Sequence, residues 1–220
     1  MEEINLGDVQ KDPRVYTFIK KANEHLGMLG YTEHGFRHSS LVAEEARNLL
    51  LGLGFSPREG EMAAIAGYLH DIGNVAGRKG HCQAGSLMAL SILQDLGMSL
   101  EEVAEVIAAV GNHDEKEGQV VNRVSAALIM ADKSDVHRSR VRNPDFSTFD
   151  IHDRVNYAVE SSHLSVYHDR IITLELKIDT EISHVMEYFE IFLSRMVMCR
   201  RAANFMDARF ALMINGAQLL

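Results

Sequence analysis

Between residues 12 and 138 the chain repeatedly places an apolar pattern of helical period behind a capping signal. This repetition restricts it to a bundle of short helices. Asp12 caps a first helix with Pro13 at its first position, and Val15, Phe18, Ile19, Ala22 and Leu26 recur on one face. A second helix, from about Gly35 to Leu53, carries Leu41, Val42, Ala46, Leu49 and Leu50 and stops at Gly54. Ser56-Pro57-Arg58-Glu59 is a capping box opening a third helix through Ala63, Ala66 and Leu69. A fourth runs from about His81 to Leu96 and ends at Gly97. Ser99 and Glu102 form another capping box, for a fifth helix with Val103, Val106, Ile107 and Val110. A sixth, from about Val121 to Arg138, carries Val124, Leu128 and Ala131.

After Pro144 the period changes from helical to alternating, clearest in Ile172, Leu174, Leu176 and Ile178. Residues from about Tyr157 to Ile178 therefore read as a β-hairpin with His168-Asp169-Arg170 at its turn. Thr180 is the expected cap of a long closing helix, which carries Ile182, Val185, Met186, Phe189, Phe192, Met196 and Val197 towards Met206. The expected architecture is mainly α: a helical domain over 1–143, and a hairpin plus helix over 144–220. An isolated hairpin is marginal in water, so it must pack on the long helix or on a second copy of the chain, a possible homodimer.

The hydrophobic content of 46% suffices for a core without staples. The two cysteines, Cys82 and Cys199, form no CxxC pair and suggest neither a disulfide nor a thiolate zinc site. That fits a reducing cytoplasm. No apolar run approaches a membrane span, and Met1-Glu2-Glu3-Ile4-Asn5 lacks the pattern of a leader. A net charge of -9 disfavours long nucleic acid as a partner and leaves a small anionic substrate open.

Eleven histidines in 220 residues are many, and their positions separate ligands from surface residues. His38 lies one turn before Leu41 and Val42, and Asp132 one turn after Leu128, so each polar group stands on an apolar helical face. Burying such a group without a partner is expensive, and a metal ion would supply one. His70 and Asp71 are adjacent at a helix end and can reach one ion only if the helix unwinds there, which Gly73 permits. Two nitrogens and two oxygens suit Fe, Mn, Ni or Co, with Zn or Mg also compatible, rather than soft copper. His25, His34, His137, His152, His163, His168 and His184 read as surface residues, with His34 near enough to His38 to line a site mouth.

The segments His34-Gly35-Phe36-Arg37-His38-Ser39-Ser40-Leu41-Val42, Ala66-Gly67-Tyr68-Leu69-His70-Asp71-Ile72-Gly73 and Leu128-Ile129-Met130-Ala131-Asp132-Lys133-Ser134-Asp135 resemble the signature of the HD-domain superfamily of metal-dependent phosphohydrolases. The likeness covers roughly residues 30 to 140. It implies that His38, His70, Asp71 and Asp132 hold one metal ion and that Asp71, the catalytic carboxylate, bridges to a second held by His81 and His113. It implies a hydrolase for a phosphoester or phosphoanhydride of a nucleotide or small phosphorylated metabolite. Many relatives carry lysine after His-Asp-x-Gly, where this chain has Asn74; Asn74 itself and the cations Arg78, Lys79 and Lys133 are the residues expected to meet substrate. Arg138, Arg140 and Arg142 form a basic cluster that reads as a solvated helix end. Two other readings share the ligand order: a di-iron oxygenase, and a non-catalytic nucleotide-binding module.

Overall fold

The computed structural model describes residues 3–219, so Met1 and Glu2 of the segment read as leaderless lie outside the described residues. Its helices are α1 (Leu6–Lys11), α2 (Pro13–Met28), α3 (Phe36–Gly52), α4 (Pro57–Leu69), α5 (His81–Leu96), α6 (Leu100–Gly111), α7 (Arg123–Ser134), α8 (Ile151–Ala158) and α9 (Val185–Phe205). The strands are β1 (Val159–Tyr167), β2 (Ile171–Ile178), β3 (Arg209–Ile214) and β4 (Ala217–Gln218). The fold is mainly α, as the periodicity predicts. None of the helices among the described residues is long and apolar enough to cross a membrane.

Most of the expected caps form. Asp12 accepts from the Arg14 N–H ahead of Pro13, Ser56 and Glu59 close a full capping box, and Gly97 ends α5 in the left-handed region at φ 90. Each such cap contributes about 1 kcal/mol. Ser99 accepts from the Glu102 N–H, which opens α6. Buried residues form one continuous cluster, including Val9, Leu50, Leu69, Leu128, Leu174, Phe192 and Ile214, so the bundle and the sheet share a core.

Several boundaries differ from expectation. The short helix α1 precedes the first one read, held by a capping box between Asn5 and Asp8. The sixth helix read to Arg138 stops at Ser134, because Asp135 adopts φ -77, ψ 76 and commits its carboxylate to His38 and Arg37. The hairpin is present, with β1 and β2 antiparallel from Val159↔Ile178 to Tyr167↔Ile171, but α8 occupies its expected start at Tyr157. Thr180 is not a cap. It lies in a turn, and His184 with Glu187 forms the capping box of α9. Nor does α9 close the chain, since β3 follows it and pairs parallel to β2, from Ile171↔Arg209 to Leu176↔Ile214. The sheet is therefore four-stranded, in the order β1-β2-β3-β4.

Two glycines set the spacing of the helices that matter below. A Cβ on Gly67 would stand 2.8 Å from the Ala43 Cα, so only glycine lets α4 cross α3 this closely. A Cβ on Gly73 would stand 2.0 Å from the His81 carbonyl and 2.4 Å from the Gly85 nitrogen. Its role is therefore room for α5 rather than the unwinding expected of it.

Candidate metal centre

The six expected ligands converge. His38 comes from the first turns of α3 and His70 from the end of α4. Asp71 breaks that helix at φ -99, ψ 1, so the neighbouring imidazole and carboxylate face the same side. His81 begins α5 behind Gly80 at φ 74, His113 follows α6, and Asp132 belongs to α7. His38, His70, Asp71, His81 and His113 are all buried, and the Asp132 side chain is 13% exposed.

Asp71 divides the group in two. Its Oδ2 lies 3.3 Å from His70 Nε2 and 3.8 Å from His38 Nε2. Asp132 Oδ1 completes that half at 3.4 Å from His38 Nε2 and 3.8 Å from His70 Nε2. The other oxygen, Oδ1, lies 3.5 Å from His81 Nε2 and 3.9 Å from His113 Nε2.

The imidazole tautomers follow from what lies behind each ring. The Nδ1–H groups of His70, His81 and His113 donate to the carbonyls of Gly67, Arg78 and Val110 at 2.8, 3.0 and 2.7 Å. His38 donates from Nδ1 to Asp135 Oδ2 at 2.6 Å. These partners can only accept, so each neutral ring presents the Nε2 lone pair to the interior. His38 and His70 then face each other at 3.2 Å, as do His81 and His113. Lone pairs in such contact repel unless a cation stands among them, and carboxylate- or carbonyl-braced imidazoles are the usual way to present nitrogen to a metal. The donor set fits a divalent ion. Ligand atoms within 4.8 Å of one another recur in His38, His70 and Asp71 and in His81, Cys82 and His113.

The electrostatics agree. Burial would raise the Asp71 carboxyl, but His70, with smaller help from His34 and Arg78, holds it well below the usual range. Burial would lower His70, but Asp71 and Asp132 draw it above its ordinary value, so this half attracts positive charge. His113 is pushed down to about 3 by burial and by His70, which leaves its lone pair free. Burial lowers His81 as well.

A second layer of charge fixes these ligands. Asp135 takes Arg37 at 2.6 Å and His38, and burial of its carboxyl is outweighed by Arg140, His38 and Arg37. Lys133 Nζ, which burial alone would neutralise, sits 2.7 Å from both Asp132 Oδ2 and Glu115 Oε2. Glu115 also accepts from Arg195 Nε of α9 at 3.2 Å and is held down to about 2, mainly by Lys133 against the cost of burial. Helical periodicity singles out neither Asp135 nor Glu115, although Asp135 lies in a motif segment.

The four residues expected to touch substrate divide. Arg78 reaches Asp71 Oδ1 at 3.7 Å and stands over Tyr31 at the edge of a cavity of about 850 Å³, with exposed Lys79 on the same rim. Asn74 and Lys133 are buried and engaged instead: Asn74 Nδ2 donates to Asp71 Oδ1 at 2.6 Å, and Lys133 clamps Asp132. The basic cluster also divides. Arg140 is buried and donates to the carbonyls of Glu33 and Asp135, Arg138 pairs with Glu160, and Arg142 pairs with Asn23. His34 lines the cavity, as its place near His38 allows, and so does His152, which reads as a surface residue. So does Cys82, whose Sγ lies 3.5 Å from His81 Nε2, although no thiolate site was expected.

The sequence profile of the HD domain matches residues 35–145, half of the chain. The chain belongs to the HD domain family. An uncharacterized protein of Methanocaldococcus jannaschii is 28% identical over 195 residues, covering 78% of this chain and 74% of that one. The crystal structure of a predicted HD superfamily hydrolase from an uncultured Thermotogales bacterium is 22% identical, with a TM-score of 0.44, over 61% of this chain and 75% of that one.

Proposed function

We propose that this protein is a phosphohydrolase that uses two divalent ions, Fe, Mn, Ni, Co or Zn, to cleave a phosphoester or phosphoanhydride in a nucleotide or small phosphorylated metabolite. The observation that carries the reading is Asp71, with one oxygen turned to each pair of inward-facing imidazole lone pairs beside a cavity whose edge includes Arg78 and Lys79. His38, His70, Asp132 and one Asp71 oxygen would hold the first ion, and His81, His113 and the other Asp71 oxygen the second. Such ions lower the pKa of a bound water to about 7 and polarise a phosphoryl oxygen.

The chain's own groups do the rest. Asn74 fixes the Asp71 carboxylate through its side-chain amide, and Lys133 and Glu115 hold Asp132 in one rotamer. Arg78 and Lys79 stand where a phosphate would enter and would steady its developing charge. Leu29, Tyr31, Ile191 and Phe192 give the same cavity an apolar wall for the organic part of the substrate.

The test is a panel of phosphomonoesters, phosphodiesters and nucleotides, assayed with Mn, Co, Ni, Fe or Zn added singly to metal-stripped protein. Metal-dependent phosphate release that is lost in Asp71→Ala is expected. Substrate-dependent oxygen uptake without phosphate release would replace the reading by an oxygenase, and nucleotide binding without any turnover by a sensor.

A further inference from the structure

The half of the centre built by His81 and His113 contains a donor of a different chemical kind. We propose that Cys82 Sγ is a ligand to the second ion, completing an N2OS set with His81 Nε2, His113 Nε2 and Asp71 Oδ1. The proposal rests on the two-ion reading above. Its evidence is the size of the cage. A tetrahedral ion with bonds of about 2.0–2.1 Å to nitrogen and about 2.3 Å to sulfur separates two nitrogens by about 3.3 Å and a nitrogen from sulfur by about 3.5 Å. Here the two Nε2 atoms are 3.2 Å apart, and Sγ lies 3.5 Å from His81 Nε2 and 3.8 Å from His113 Nε2. Asp71 Oδ1 closes the set at 3.5 and 3.9 Å from the same nitrogens. The thiol is buried, so its aim is set by packing.

Arg78 Nη1 lies 3.3 Å from His81 Nε2, on the lone pair an ion would take. The guanidinium is about one-third exposed and already lies 3.8 Å from Asp114 Oδ2, so solvent and that carboxylate are at hand for it if an ion takes its place. On coordination the S–H bond breaks, a sulfur–metal bond forms and the proton passes to solvent, with no change in oxidation state. A sulfur donor makes this position select Zn, Co or Fe(II) over Mn or Mg, whereas the N2O2 half accepts harder ions. The two positions would then differ in metal preference.

The experiment is an anaerobic titration of the metal-stripped 220-residue chain with Co(II), followed by optical absorption. Two ions per chain are expected, with a near-ultraviolet sulfur-to-cobalt charge-transfer band. The band should vanish in Cys82→Ser and persist in Cys199→Ser, the other buried thiol. Cys82→Ser should weaken the second ion by more than the ~10–100-fold typical of outer contacts, leaving the first unchanged. Two ions without the band overturn the thiolate and leave the two-ion reading standing. One ion without it overturns both, and one ion with it keeps the thiolate and overturns the two-ion reading. Should the serine variant fail to fold, X-ray absorption of the wild-type zinc form decides. Sulfur at ~2.3 Å supports the proposal, and a shell of nitrogen and oxygen alone overturns it.

Discussion

The two halves of the centre share Asp71 and meet where His70, His113 and Asp132 come within 4.8 Å of one another, but they are held differently. Around His38, His70 and Asp132, two of the three are braced by other charges, Asp135 behind His38 and Lys133 with Glu115 behind Asp132, while His70 leans on the Gly67 carbonyl. Around His81 and His113, backbone carbonyls are the brace, and the cavity begins immediately. The difference teaches where stability and reactivity reside. The charged half is bound into the fold and costs stability when broken. The carbonyl-braced half can lose a ligand cheaply, and His81 on it lines the cavity.

The largest effect should come from Asp71, which belongs to both halves. Asp71→Ala should lose both ions and reduce turnover by well over 100-fold. Metal analysis beside circular dichroism checks that the fold survives, and retained activity would end the comparison. Next, Asp132→Ala should remove the first ion and also destabilise the chain by about 3 kcal/mol, because buried Lys133 loses one of its two anions. His113→Ala should lower metal content to one ion per chain with a smaller loss of stability. Urea unfolding of metal-free samples measures both, and equal losses would erase the asymmetry.

Glu115→Gln isolates the brace. The Glu115 carboxyl falls from its ordinary 4.5 to about 2 in the fold, so its contribution is full above pH 4.5 and disappears as pH falls towards 2. The variant should be less stable than wild type by about 2–3 kcal/mol at pH 6, and the gap should close near pH 2. A gap that stays constant with pH would show that packing, not charge, holds Lys133. Asp135→Asn should weaken the first ion ~10–100-fold and leave the second alone, read by competition with a chelator. Smallest of all, His168→Ala at the exposed tip of the hairpin should change stability by less than about 0.5 kcal/mol and leave metal content untouched.

Most of the cluster that forms the candidate centre was legible in the sequence because a histidine or aspartate on an apolar helical face is a local anomaly, visible without knowing the fold. The caps at Asp12, Ser56 and Gly97 are equally local. What escaped depends on partners distant in the chain. Arg209–Ile214 becomes a strand only because it pairs with Ile171–Leu176 across the whole of α9, and no short window records that register. Asp135 looked like one more polar residue at a helix end until α3 delivered His38 to it. Cys82 was hidden by its own neighbour: adjacent helical side chains diverge, and only His113, arriving from α6, turns the pair into a cage. Thr180 failed as a cap because the turn at Asp179 delays the helix until His184.

The contact between Arg195 and Glu115 bears on how this chain could be taken apart. Expected as an appendage, the segment beyond residue 143 supplies through Arg195 the last member of a run of alternating charges, Asp132, Lys133, Glu115, Arg195, that begins at a ligand and ends on α9. A shortened gene encoding only residues 1–143 would leave that run with an unbalanced anion next to the centre and strip the apolar cover from α7. Recombination can exchange modules freely only where no such wire crosses the joint, so the helical bundle and the sheet of this protein should be inherited as one piece.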